Sequence, residues 1–367
     1  MTLYIHQLNE WPEFTWDEEK LIGLLSSTRH KQGRLIGKME GLGFSLQSEA
    51  MLQTMTLEIL KSNEIEGEIL DSDQVRSSLA RRLGLDVAGI IPSDRNVDGV
   101  VQVMLDATQN YNAHLTEERL FDWHAALFPS GRMGMKKITI GGWRKSGEPM
   151  QVVSGPMGRE MVHFEAPEDQ RVPKEMTRFL KWLNSPVEID PVIKAAIAHL
   201  WFVTIHPFDD GNGRLARTIA DMQLTKADGL KQRFYSMSAQ IRLERKSYFY
   251  ILEETQKGSL NITAWLEWFL VCLDRALESS DATLAGVKKK SRYWEMLSKK
   301  NINDRQRLII KKLLDKFEGK LTSSKYAKIA KCSPDTALRD IQDLIEQEVM
   351  VKENAGGRST NYKLYEI

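Results

Sequence analysis

Two apolar helical runs, residues 193–205 and 218–224, are joined by His206-Pro207-Phe208-Asp209-Asp210-Gly211-Asn212-Gly213-Arg214-Leu215-Ala216-Arg217. No other stretch limits the chain as much, because it reads as helix, glycine-containing turn, helix N-terminus. Gly211-Asn212-Gly213 lets backbone N–H groups face a bound anion with no Cβ in the way, and the following helix adds its positive dipole end. Arg214 and Arg217, three apart on one helical face, suit a polyphosphate better than a single phosphate. Asp210 is the kind of hard oxygen ligand that Mg²⁺ takes beside phosphates, and His206 can accept a proton near neutral pH. Singly, these features have plainer meanings: a loop, a surface histidine, a solvated helix face. Together they describe a phosphate cradle with a base beside it.

The rest of the sequence is mainly helical, with apolar residues at three- and four-residue spacing through 16–25, 52–60, 97–111 and 193–203. Residues 135–158 are the exception. Ile138-Thr139-Ile140 and Met150-Gln151-Val152-Val153 are β-prone and separated by Gly141-Gly142 and residues 145–148, so the spacing predicts a hairpin, either a surface excursion or an edge strand offering its backbone to an extended peptide. No run approaches about 18 consecutive apolar residues and the N-terminus lacks a basic-then-apolar layout, so neither a membrane span nor export is indicated, and the cytoplasm is the expected compartment. Cys272 and Cys332 lie 60 positions apart, which leaves a disulfide framework or zinc site nothing to build on.

The net charge of +1 conceals a division. From residue 285 onward 19 Lys+Arg face 11 Asp+Glu, a balance of +8, while the preceding chain, with 32 against 39, carries −7. An anionic partner is therefore suggested for the C-terminal part only. The run Lys288-Lys289-Lys290 at that change reads as a linker or domain entry.

The segment 206–217 satisfies every specified position of His-x-Phe-x-(Asp/Glu)-Gly-Asn-Gly-Arg-x-x-Arg and resembles the signature of the Fic family. The resemblance implies protein adenylylation (AMPylation), the transfer of AMP from ATP to a Ser, Thr or Tyr hydroxyl of a target protein or of the chain itself. By it His206 is the base and Asp210 the Mg²⁺ ligand. Gly211, Asn212 and Gly213 form the anion hole, and Leu215 and Ala216 belong to the same ATP-binding stretch; Arg214 and Arg217 clamp the β- and γ-phosphates; Phe208 is a buried anchor. The stretch from Gly142-Trp143-Arg144 through Met150-Gln151-Val152-Val153-Ser154-Gly155, with Gln151 to Ser154 as its target-facing part, resembles the family's target-aligning flap. Tyr248, Phe249 and Gln256 resemble its adenine-side aromatic pair and amide, although Tyr248, Phe249 and Tyr250 would equally suit a core face. A homodimer is implied by analogy alone.

Ser62-Asn63-Glu64-Ile65-Glu66-Gly67 fits (Ser/Thr)-x-x-x-Glu-(Gly/Asn) and resembles the inhibitory motif of many Fic proteins. The surrounding Trp11-Pro12-x-Phe14-x-Trp16, Gln32-Gly33-x-Leu35-x-Gly37 and Val75 to Gly84 resemble a bacterial subgroup in which that motif precedes the core. The plainer reading is a helix ending at Gly67 with its glutamates in solvent. The resemblance implies instead that Glu66, with Ser62, pairs with Arg217 and occupies the guanidinium meant for the γ-phosphate.

Beyond residue 291 the pattern is helix (303–317), helix (323–330), turn, helix (334–347), then Met350-Val351-Lys352 and Tyr362-Lys363-Leu364 flanking 354–358. This resembles a winged helix-turn-helix. Thr336 and Arg339 on its third helix and Arg358 at the wing tip are its candidate contacts with DNA or a protein partner. The +8 balance points to DNA; Asp335, Asp340, Asp343 and Glu346 on the same helix point to protein. The expected architecture is thus mainly α: an N-terminal helical domain (1–93) with the inhibitory motif, a helical Fic core with a β-hairpin flap (94–284) and a winged helix (285–367). Two alternatives stand beside the adenylyltransferase, a nucleotide-sensing transcriptional regulator and an enzyme that also removes AMP; an intact base and two arginines favour catalysis over sensing.

Overall fold

The computed structural model describes residues 3–365 apart from 86–88, 146, 148, 156–158, 187, 315–316, 318 and 354–359. Arg358, expected at a wing tip, therefore lies outside the described residues. The chain divides into two compact units, Met1–Thr283 and Leu284–Ile367.

In the first unit α1 (Glu18–Glu40), α2 (Phe44–Ile65), α3 (Ser72–Leu83), α4 (Arg95–Gln109) and α5 (Glu117–Leu127) precede two small hairpins, β1 (Arg132–Met133) with β2 (Lys136–Lys137) and β3 (Gln151–Ser154) with β4 (Met161–Glu165). Then come α6 (Val172–Asn184), α7 (Pro191–Ile205), α8 (Asn212–Asp228), α9 (Met237–Leu243), α10 (Arg245–Gln256) and the start of α11 (Thr263–Ser298). The starts are written locally: Asp17, Asp71, Asp94 and Thr116 each accept a hydrogen bond from the backbone N–H three residues on, satisfying a donor that the first helical turn leaves open. For α7, Asp190 caps and Pro191 takes the first position. Every residue from Val192 to Ile205 is buried, as expected of a helix apolar all round. It is the axis of the unit, and α8 packs along it.

The β-prone segment pairs differently from expectation. Gln151–Ser154 forms its antiparallel ladder with Met161–Glu165, not with residues 138–140. Those residues are held elsewhere: Ile138 is buried and its N–H reaches Gly131 O, while the Thr139 N–H donates to Asp209 Oδ2 at 2.8 Å. The Lys288-Lys289-Lys290 run is likewise no linker loop, since α11 continues through it to Ser298.

In the second unit α12 (Asp304–Leu314), α13 (Ser323–Ala330) and α14 (Pro334–Glu346) are followed by β5 (Met350–Lys352) paired antiparallel with β6 (Tyr362–Leu364). Ser333 caps α14 and Pro334 opens it. Tyr293, Ile310, Tyr326, Ile341, Leu344 and Met350 belong to its core. Asp340 faces inward, accepting both Nε (2.8 Å) and Nη2 (3.0 Å) of Arg305 and the Tyr326 hydroxyl. Thr336 is half-buried with its N–H on Ser333 Oγ, and Arg339 is exposed. Among the described residues no helix is long and apolar enough to cross a membrane.

Candidate functional site

His206 ends α7 in the left-handed region, at φ 51° and ψ 58°, an uncommon conformation for a residue with a Cβ. Three contacts hold it. Its N–H continues the helix to Phe202 O, and its Nδ1 lies 3.2 Å from Val203 O; a carbonyl only accepts, so Nδ1 carries the proton and Nε2 is left as the acceptor. Its own carbonyl receives Arg144 Nε at 2.8 Å. Burial pushes the imidazole down to about 4, Arg144 adds to this, and the Val203 carbonyl and Glu66 oppose it. The result is a ring that stays neutral.

The following loop is fixed by Asn212, whose side chain accepts from Phe208 N–H at 3.0 Å and donates to Phe208 O at 2.8 Å. Phe208 is fully buried and stacks on His124 with centroids 4.2 Å apart. Gly211 sits at φ 80°, where a Cβ would stand 2.9 Å from Phe128. Intrahelical bonding in α8 starts with Leu215 N–H to Gly211 O, so the N–H groups of Asn212, Gly213 and Arg214 form its open N-terminus. Leu215 and Ala216 are fully buried; their side chains belong to the core. Asp210 is partly exposed beside this terminus, whereas Asp209 is committed to Thr139.

A carboxylate already sits at that terminus. A Cβ on Gly213 would stand 2.3 Å from Glu66 Oε1, and the same oxygen lies 2.8 Å from Arg217 Nη2. Arg217 also donates from Nε to Ser62 Oγ (3.0 Å) and from Nη2 to Ser62 O (2.9 Å). Burial alone would lower the Arg217 pKa, but the Glu66 charge and Tyr248 outweigh it and raise it. Glu66 follows the last residue of α2, whose end is tied down by Arg242 on Glu64 (3.0 Å) and Arg245 on the Ile65 carbonyl (2.8 Å). The neighbouring Arg214 lies over the Phe128 ring and pairs with Glu68 at 2.6 Å.

The structure thus brings together His206, Asp210 to Gly213, Arg214, Arg217, Ser62 and Glu66. Tyr248 and Gln256 are buried in α10, with the Tyr248 hydroxyl 3.1 Å from His199 Nε2 and the Gln256 amide donating to Thr204 at 3.2 Å; Phe249 lies beneath Arg245. On the β3–β4 hairpin, Gln151 bonds Glu165, Val152 packs toward Phe164, Val153 is exposed, and Ser154 meets His163. Thr336 and Arg339 belong to the other unit. Sequence reasoning missed Glu68 and Phe128, and it met Arg144 only as part of the flap, not as the partner of the His206 carbonyl. Glu68 had a signal, two carboxylates two apart facing two arginines three apart; Phe128 and the role of Arg144 at His206 had none, since what they touch is distant in sequence.

Residues 114–224 match the Fic/DOC family, and residues 4–85 match a Domain of unknown function (DUF4172). Proteins named Protein adenylyltransferase Fic are similar over much of the chain: that of Aedes aegypti is 25% identical over 242 residues, covering 63% of this chain and 42% of the relative, and that of Drosophila yakuba is 32% identical over 230 residues, covering 60% and 40%. The chain spans about two-fifths of the length of these relatives. Among solved structures, a Fic family protein from Desulfovibrio desulfuricans G20 aligns over 96% of this chain and 98% of its own, with TM-score 0.54 and 21% identity. A Fic domain containing signaling protein from Bacteroides thetaiotaomicron VPI-5482 aligns over 72% and 97%, with TM-score 0.50 and 20% identity. The mainly helical fold is that of solved Fic structures.

Proposed function

We propose that this chain is a protein adenylyltransferase, moving AMP from ATP to a hydroxyl of a protein, and that its resting form is latched by Glu66. The observation that carries the reading is the Glu66 carboxylate itself, seated over Gly213 and against Arg217. An anion already occupies the place where a polyphosphate would bind.

The chemistry follows from the residues. The target oxygen attacks the α-phosphorus, its proton passes to His206 Nε2, and the bond to the departing pyrophosphate breaks. The N-terminal N–H groups of α8 face the charge that develops, and Arg214 and Arg217 hold the leaving phosphates. Asp210 is a partly exposed hard donor beside the cradle, and among the described residues no three His, Cys, Asp or Glu gather as a metal site, so Mg²⁺ would be held by Asp210 together with phosphate oxygens. When bound, it neutralises charge on the leaving group. Arg144 acts through His206, as a positioning residue whose bond to the His206 carbonyl keeps the left-handed turn.

Glu66 competes with the γ-phosphate for Arg217, and Glu68 does the same at Arg214. The second unit is read as a winged helix; with Asp340 turned inward, its exposed third-helix face is less acidic than its sequence, which favours DNA, and salt-sensitive binding to a duplex in a mobility shift is the expected result. The central experiment incubates wild type, Glu66→Gly and Glu66→Gly with His206→Ala with labelled ATP and lysate. Label should appear with Glu66→Gly and vanish with the second substitution. A nucleotide sensor would bind ATP and transfer nothing, and an enzyme that chiefly removes AMP would strip label from a modified protein only while Glu66 is present.

A further inference from the structure

The loop between α7 and α8 is pinned residue by residue. Arg144 takes the His206 carbonyl through Nε (2.8 Å) and the Pro207 carbonyl through its own N–H (3.0 Å). Asn212 clasps both backbone groups of Phe208, and the Asp209 carboxylate is fixed to Thr139. Asp210 is held differently. Its Oδ1 accepts from the adjacent Gly211 N–H, and among the described residues its one bond to a distant part of the chain is to His124, whose Nε2 lies 3.2 Å from the Asp210 carbonyl oxygen.

A carbonyl only accepts, so His124 Nε2 carries a proton. Nδ1 is buried without a partner, and a bare acceptor there costs less than an unpaired N–H on a charged ring. The ring is therefore the neutral Nε2–H form, opposite to that of His206. It is fully buried and lies flat on Phe208, with the ring planes 7° apart and the centroids 4.2 Å apart. His124 shares a face of α5 with Phe128, four residues on, and Phe128 in turn packs against Gly211 and beneath Arg214. The end of α5 is thus the floor of the loop, and His124 supplies its polar contact.

We propose that His124 is a positioning residue for Asp210: by holding the Asp210 carbonyl it sets where the carboxylate stands beside the open N-terminus of α8, and with it the hold on a nucleotide-bound divalent cation. The proposal rests on the reading of Asp210 as the Mg²⁺ donor of an adenylyltransferase. Asp210 is partly exposed, and with no bond from a distant side chain to its carboxylate among the described residues, the backbone beneath is where it can be aimed. Removing a group that orients a metal-binding residue typically lowers metal affinity about 10- to 100-fold.

The test measures ATP affinity by calorimetry in excess Mg²⁺ and in EDTA, on the full Glu66→Gly chain. His124→Phe keeps a flat ring on Phe208 and removes the donor, whereas His124→Gln keeps an N–H in place of Nε2. The ratio of the two affinities should fall about tenfold with His124→Phe and stay within about threefold with His124→Gln. In an Asp210→Ala background His124→Phe should move the ratio no further, because a residue that acts through Asp210 has nothing left to act on. Affinity lost equally with and without Mg²⁺, a ratio unmoved by His124→Phe, an equal fall in His124→Gln, or a further fall in the Asp210→Ala background overturns the proposal and leaves adenylyl transfer standing. A ratio that falls as expected in a Glu66→Gly chain that labels no protein keeps the positioning role and removes the transfer reading. A ¹⁵N NMR spectrum of the unsubstituted chain gives a measure free of any effect on folding: Nε2 protonated and Nδ1 bare on His124 supports the proposal, and the reverse tautomer overturns it.

Discussion

The two carboxylate–guanidinium pairs at the start of α8 share an ionic form and differ in setting. Arg217 is 2% exposed and Glu66 31%, and the guanidinium is bonded further to the Ser62 hydroxyl and carbonyl. Arg214 is 5% exposed, yet its partner Glu68 is 44% exposed and swings from the chain beyond Gly67. Glu66 also covers the open N–H groups of α8, with Gly213 giving it room. In both pairs a buried guanidinium meets a carboxylate that solvent reaches, so the ion pair alone contributes about 0–1 kcal/mol in either; what sets the Glu66 pair apart is the added Ser62 bonds and its cover of the α8 N–H groups. One helix end therefore carries a lock and a screened, exchangeable contact, although both would be drawn as salt bridges.

The largest effect should come from the lock. Glu66→Gly vacates both Arg217 and the open N–H groups of α8, and it should raise AMP transfer roughly 100-fold, read as label incorporated from ATP. A rise below about threefold would erase the distinction between the two pairs. Gly213→Ala probes the same place from the other side. Its Cβ would stand 2.3 Å from the present Glu66 oxygen, on the ground a phosphate oxygen would take, so in the Glu66→Gly background it should weaken ATP binding at least about tenfold by calorimetry. Helix content should not fall, since alanine favours the helix more than glycine does.

Much of this was legible in the sequence because its causes are local. Asp190-Pro191 starts α7, Gly211 turns the chain, and Asn212 is four residues from the Phe208 backbone it clasps, so the cradle could be read from residues 190–217, as the mainly helical class could from the spacing of apolar residues along the chain. The Glu66–Arg217 pair spans two distant segments and became legible only through a resemblance, not through any periodicity. The hairpin shows the opposite failure. Residues 138–140 have strand composition, but Asp209 takes the Thr139 N–H, and tertiary contact overrides propensity. Arg144 was legible only as part of the flap, because a guanidinium that serves two carbonyls looks, in a sequence, like any surface arginine.

The exchangeable pair should respond weakly and differently. Glu68→Gln is expected to raise transfer only two- to fivefold in the same label assay, and raising salt from about 0.05 to 0.5 M should mimic much of that gain in wild type, because half-exposed pairs are screened. Salt should leave the far larger gain from Glu66→Gly mostly intact. If Glu68→Gln instead matched Glu66→Gly, the two pairs would be one cooperative latch.

The smallest effect separates the pairs without any turnover. His206 is held down to about 4 from an ordinary 6.5, chiefly by burial and further by Arg144, while Glu66 pushes it up and Glu68 is not among the groups that act on it. The base of the proposed transfer works only when unprotonated, so on that reading the depression keeps His206 competent from about pH 5 upward, and competence is lost only as pH falls through about 4. An NMR titration of the His206 ring should therefore show a midpoint near 4 in wild type, a lower one in Glu66→Gly, where a nearby negative charge is gone, and an unmoved one in Glu68→Gln. A midpoint that moved with Glu68 would place both carboxylates within electrostatic reach of the base; one near 6.5 in wild type would mean that the ring is solvated and the turn at the end of α7 more open than its contacts to Val203 and Arg144 imply.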